Sequence, residues 1–123
     1  FNDFLRQEIS YDSDLPYEIL NGKVWPWNYE PHQNEFANVA ETLRKAMTVN
    51  PFLKVYVANG YYDLATPFLA TEYTFNHLDI DQALMDNITM HYYEAGHMMY
   101  AHLPSLRQMK VDMDNFLETA VPT

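Results

Sequence analysis

Two spacings of apolar residues run through the chain from Asn34 onward, and the change from one to the other marks out its elements. Phe36, Val39, Ala40, Leu43, Ala46 and Met47 recur at helical spacing, which predicts an amphipathic helix with Asn34 as N-cap and Asn50-Pro51 as its stop. Phe52-Leu-Lys-Val-Tyr-Val-Ala58 is then a short β-branched and aromatic run of strand length, ended by Asn59-Gly60. Thr66-Pro67 reads as a helix start, a capping hydroxyl followed by proline at the first helical position. That helix is expected to reach about His77, and Asp81 is placed to cap a further short turn. Ile88-Thr-Met-His-Tyr-Tyr93 predicts a second strand. Pro104 opens a last helix whose Leu106, Met109, Met113, Phe116 and Leu117 fall on one stripe.

Residues 1–34 follow neither period. Turn formers alternate with aromatics in Tyr11-Asp-Ser-Asp-Leu-Pro16, Asn21-Gly22 and Trp25-Pro-Trp-Asn-Tyr29, and prolines at 16, 26 and 31 would interrupt any ladder. Phe1 to Ile9 suits a short helix. The remainder predicts an irregular arm, with Trp25 and Trp27 as packing anchors, unable to build a core by itself. The expected organisation is an arm over 1–34 and an α/β segment over 35–123. Strands alternating with helices imply parallel pairing. A free-standing pair of parallel strands is unusual, so these are expected to be the last two strands of a larger sheet.

At 123 residues, with ten Tyr and seven Phe, the chain suits one globular domain with a core. Seven basic against 17 acidic residues give a net charge of −10, which argues against a phosphate-tracking nucleic-acid binder and against a polybasic membrane contact. No apolar run approaches a membrane span, and the first residues lack the pattern of a secretory signal. Without cysteine there is no disulfide framework, thiolate metal site or cysteine nucleophile.

The chemistry concentrates after the two predicted strands. Val57-Ala-Asn-Gly-Tyr-Tyr-Asp63 brings an aspartate just past the first, and Glu94-Ala-Gly-His97 a histidine just past the second. Open α/β sheets place their sites at these carboxyl ends. An imidazole base held by a carboxylate is the back half of a Ser–Asp–His triad, in the chain order of α/β-hydrolases. Gly60 and Gly96 are expected to form sharp turns beside the two residues. Asp63 also has a plainer reading as a turn or cap residue. The serines present, Ser10, Ser13 and Ser105, lie in no Gly-x-Ser-x-Gly elbow, and Ser105 reads as a first-turn helix residue.

A rival reading gathers His91, Glu94, His97 and His102 around a metal, although their spacing fits no helical His-Glu-x-x-His motif. Strand alternation sends His91 and Tyr93 to one face and Tyr92 to the other, which makes His91 a strand residue. Asn87-Ile-Thr89 is a formal glycosylation sequon.

Tyr61-Tyr-Asp-Leu-Ala-Thr-Pro-Phe68, Thr71-Glu-Tyr-Thr-Phe75 and Tyr92-Tyr-Glu-Ala-Gly-His-Met-Met-Tyr100 resemble the C-terminal part of the serine carboxypeptidase family. Asn38-Val-Ala-Glu-Thr-Leu-Arg-Lys-Ala-Met47 and Trp25-Pro-Trp27 resemble its bacterial-type members. The resemblance implies the C-terminal part of an α/β-hydrolase fold: its last two parallel strands with flanking helices, plus the aromatic arm. It implies that Asp63 is the catalytic aspartate and His97 the catalytic histidine, with Met98 beside the leaving-residue pocket. The family's Gly-Glu-Ser-Tyr-Gly-Gly nucleophile segment does not occur in this chain. The expected activity is release of C-terminal amino acids from peptides, without metal or organic cofactor, in a periplasmic or secreted setting.

The partners that follow are a peptide with a free C-terminus and the N-terminal half of the same enzyme. A homodimer through an exposed sheet edge is a further expectation. No nucleic acid and no membrane are expected. Relatives in this fold include acyltransferases and lyases, which the residues quoted do not separate from a peptidase, and a non-catalytic protein keeping the hydrolase scaffold is the competing reading.

Overall fold

The computed structural model describes residues 2–15, 18 and 21–121. Phe1 and Pro16, named above, lie outside them. The chain divides into two compact units, Phe1–Ala37 and Asn38–Thr123.

In the first unit, helix α1 spans Asn2–Gln7, and single 3-10 turns occupy Gly22–Val24 and Glu30–His32. Asn21 caps the first turn, its side chain accepting from the Lys23 N–H at 2.8 Å. Residues 3–15, 18, 21–30 and 32–37 of this unit are all exposed or partly exposed. Trp25 and Trp27, expected as packing anchors, are not buried within this unit. Both rings are exposed and lie against each other, centroids 5.9 Å apart.

The second unit is mixed α/β. It contains α2 (Ala40–Val49), β1 (Val55–Gly60), α3 (Phe68–Asn76), α4 (Gln82–Met85), β2 (Ile88–Tyr93) and α5 (Leu103–Ala120), with a 3-10 turn at Met99–Ala101. Among the described residues the sheet has two strands, paired in parallel with Val55 opposite Ile88 and Gly60 opposite Tyr93. A parallel pair requires a long crossover, and α3 and α4 make it. None of the described helices is long and apolar enough to cross a membrane.

Several boundaries differ from expectation for local reasons. Asn34 is not the cap of α2: it sits in the left-handed region at φ 66°, and the helix starts six residues later. Asn38 accepts the Ala40 N–H at 2.9 Å instead, and Phe36 is 99% exposed. Strand β1 starts late because Asn50 draws the chain into a turn, accepting the Phe52 N–H on its side chain and the Leu53 N–H on its carbonyl. The stripe on α5 is also rotated. Ser105, Met109, Asp112, Met113 and Phe116 turn inward, whereas Leu106 and Leu117 are exposed.

The buried apolar residues are few. Met47 on α2 is fully buried, joined by Leu78, Tyr93, Ala95 and Met99, with Met109 of α5 packed on the last three. Beta pairing sorts the remaining side chains by face. Tyr56, His91 and Tyr93 face α5, where Tyr56 meets Phe116 edge-on at 5.3 Å. On the other face, Tyr92 donates to Glu72 of α3 at 2.7 Å and meets Phe68 edge-on at 6.0 Å.

Candidate functional site

The loops leaving the C-terminal ends of β1 and β2 are held together by backbone. The Tyr61 N–H donates to the Tyr93 carbonyl at 2.9 Å and the Tyr62 N–H to the Ala95 carbonyl at 3.0 Å, extending the ladder past the last paired residues. Gly60 is what lets them approach. A Cβ there would lie 2.5 Å from the Gly96 oxygen and 2.6 Å from the Ala95 oxygen. Both neighbours are backbone and cannot swing aside, so only hydrogen fits. Of the turns expected at Gly60 and Gly96, the one beside Asp63 starts at Gly60, whose carbonyl accepts the Asp63 N–H at 3.2 Å. Neither glycine has a positive φ, and Gly60 is the last residue of β1.

Within this clasp His97 Nδ1 lies 2.9 Å from Asp63 Oδ2. The Asp63 side chain is 3% exposed and that of His97 63%. Both carboxylate oxygens are saturated. Oδ1 accepts the Ala65 N–H at 2.8 Å and the Thr66 N–H at 2.9 Å, and Oδ2 accepts the Thr66 hydroxyl at 2.6 Å besides the imidazole. The Thr66 hydroxyl, then its backbone N–H, then His97 and the Ala65 N–H hold the Asp63 carboxyl well below the usual carboxylate range, against the opposing effect of burial.

An ionised carboxylate only accepts, so His97 Nδ1 is the donor of this bond, and in the neutral imidazole the lone pair is then on Nε2. The arrangement presents a proton acceptor, oriented from behind, on a side chain open to solvent.

Thr66 is the residue that reading for caps misassigned. Pro67 is the N-cap position of α3, without a side-chain cap bond, and the Thr66 hydroxyl serves Asp63. The signal was Asp63 three residues before Thr66, the spacing at which an aspartate collects the following backbone N–H groups. Met98 follows His97 with its side chain largely exposed, and its carbonyl starts the 3-10 turn by accepting the Ala101 N–H.

The histidines grouped by the metal reading are committed to different elements. His91 Nδ1 lies 3.2 Å from Asp112 Oδ2 on α5, His97 is bound to Asp63, and His102 Nδ1 is 2.8 Å from the Ser105 hydroxyl. Among the described residues no three histidine, aspartate or glutamate side chains converge as metal ligands. Ser105 is buried in the first turn of α5, and Ser10 and Ser13 belong to the other unit.

The fold and the site thus define a parallel α/β unit with an acid–imidazole pair at its strand ends. Compared with protein-family models, curated proteins and solved structures, the chain matches none.

Proposed function

We propose that this chain carries the aspartate and histidine of a serine carboxypeptidase-like hydrolase of α/β-hydrolase fold, completed by a serine from outside these 123 residues. The observation that carries the reading is the 2.9 Å bond between His97 Nδ1 and a buried, fully hydrogen-bonded Asp63. Its support is positional as well, because the two residues follow the C-terminal ends of adjacent parallel strands. The resemblance of residues 59–75 and 92–100 to the family then selects among hydrolytic chemistries.

In that reaction His97 Nε2 takes the proton of the serine hydroxyl as its oxygen attacks the scissile carbonyl. The same proton passes to the departing amine as the C–N bond breaks. A water, deprotonated in turn by His97, then releases the acyl group and restores the serine. Asp63 stays ionised throughout, fixing the tautomer and stabilising the imidazolium. Met98, exposed beside His97, would flank the leaving residue.

The test is release of the C-terminal amino acid from a blocked dipeptide. The chain is assayed alone and mixed with the polypeptide encoded immediately upstream. Hydrolysis only in the mixture, abolished by His97→Ala, is the expected result. Hydrolysis that survives His97→Ala would overturn the assignment, and an inactive mixture would favour the non-catalytic reading.

A further inference from the structure

Tyr93 is the last residue of β2 and almost wholly buried. Its carbonyl accepts two N–H groups, Tyr61 at 2.9 Å and Ala95 at 2.8 Å. Tyr61 opens the loop that carries Asp63, and Ala95 lies in the loop that carries His97. One carbonyl is therefore the branch point of both.

The other end of Tyr93 is tied to α5. Its hydroxyl donates to Asp112 Oδ2 at 2.9 Å and is hydrogen-bonded to the Tyr56 hydroxyl. Burial and these two partners push the Tyr93 phenol well above its usual range, which keeps it protonated and donating. Asp112 is itself fixed from two more sides. Gln108 donates to Oδ1 at 2.8 Å, and His91 Nδ1, whose ring stacks on Tyr56 at 4.9 Å, lies 3.2 Å from Oδ2. A carboxylate on the largely apolar inward face of α5 costs desolvation, which these partners offset.

We propose that Asp112 is a positioning residue for the Asp63–His97 pair, acting through Tyr93: α5 holds the ring, and the ring sets the carbonyl from which both loops hang. The inference rests on reading that pair as the acid–base half of the site. A carboxylate that merely satisfied a buried phenol would contribute to the docking of α5 and leave the pair alone.

The test uses the 123-residue chain and two readings by nuclear magnetic resonance: the His97 tautomer from its ring nitrogen shifts, and amide exchange at Tyr61, Ala95 and Val55. Val55 donates to the Asn87 carbonyl at the far end of the ladder and serves as the internal reference. Asp112→Ala is expected to lose the Nδ1–H tautomer and to speed exchange at Tyr61 and Ala95 about tenfold, the factor implied by one hydrogen bond of ordinary net strength. Val55 should not change. Asp112→Asn, which keeps an acceptor for the phenol, should retain the tautomer.

Tyr93→Phe removes only the hydroxyl and should reproduce Asp112→Ala, so it carries the test if that variant does not fold. An unchanged tautomer in Tyr93→Phe, or exchange that rises equally at Val55, overturns the inference. Asp63→Asn separates the two levels. If the tautomer survives that change, the acid–imidazole reading fails. If it is lost there but kept in Asp112→Ala and Tyr93→Phe, only the positioning role of Asp112 fails.

Discussion

Gly60 and Gly96 stand so close that a methyl group on the first would lie 2.5 Å from the carbonyl oxygen of the second. Gly60→Ala must therefore part the two loops, because backbone cannot rotate out of the way. The expected cost is about 1–3 kcal/mol, the usual range for overpacking. Denaturant melts check the cost, and the His97 ring nitrogen shifts check the loss of its bond to Asp63. Gly96→Ala is the contrasting variant. Its added carbon would meet only the Tyr62 oxygen at 3.7 Å, ordinary contact, so stability should change little.

Asp63 links the site to acid stability. Its carboxyl is held below the ordinary value of 3.8, so the folded chain binds that proton less readily than the unfolded chain. The stabilisation is complete above that ordinary value and is lost progressively as pH falls through the lower, folded one. Urea melts between about pH 2 and pH 7 should show this fall, and Asp63→Asn should flatten the part due to this group. Thr66→Val keeps the β-branched shape and deletes the largest cause of the shift. The Asp63 carboxyl carbon should then titrate at higher pH. An unmoved titration would mean that the Thr66 hydroxyl does not sustain the carboxylate.

Met47 is the one large side chain fully buried among the described residues. With so few buried apolar partners in this unit, its loss is expected to fall at the usual cost of truncating a core residue. Met47→Ala should destabilise by about 2–5 kcal/mol in equilibrium unfolding. Leu64→Ala is the matched contrast, since that side chain is 94% exposed and should shift stability by no more than about 0.5 kcal/mol.

The odd-numbered residues of β1 turn their backbone toward β2, as the bonds from Val55 and Tyr61 show. By alternation, Tyr56 and Ala58 direct theirs to the opposite edge, which has no sheet neighbour among the described residues. Such an edge invites pairing with another strand. Sedimentation of the chain should accordingly show concentration-dependent association, weakened by Ala58→Pro, which removes an outward-facing donor and no bond to β2. A monodisperse monomer at all concentrations would rule out pairing through this edge.

Much of this was legible in the sequence where the signal was local. Asp81 caps α4 by accepting the Ala83 N–H, Pro104 lies in the first turn of α5, and β2 spans Ile88–Tyr93 as its pattern predicts. Asp63 and His97 could be paired because strand ends and chain order constrain them together. What could not be read depends on which groups meet across the fold. Thr66 looks like a helix cap until Asp63 folds back on it. Asp112 looks like one more surface carboxylate, although its place between Met109 and Phe116 at helical spacing put a charge on a buried face. Gly60 suggested the tight turn that it does begin, but not that the space its missing side chain leaves is occupied by carbonyls of the other loop.

The side chain of His97 is 63% exposed, whereas the carboxylate behind it is almost completely covered. One end of this imidazole is fixed, and the other faces bulk water. In the proposed reaction, the surface that brings a hydroxyl to Nε2 would therefore have a second task, to displace that water. Until it is displaced, solvent dipoles compete for the same lone pair and weaken any field aimed at a developing charge. The alignment of the imidazole is settled within the loops, and under the proposed function its dryness would have to come from elsewhere.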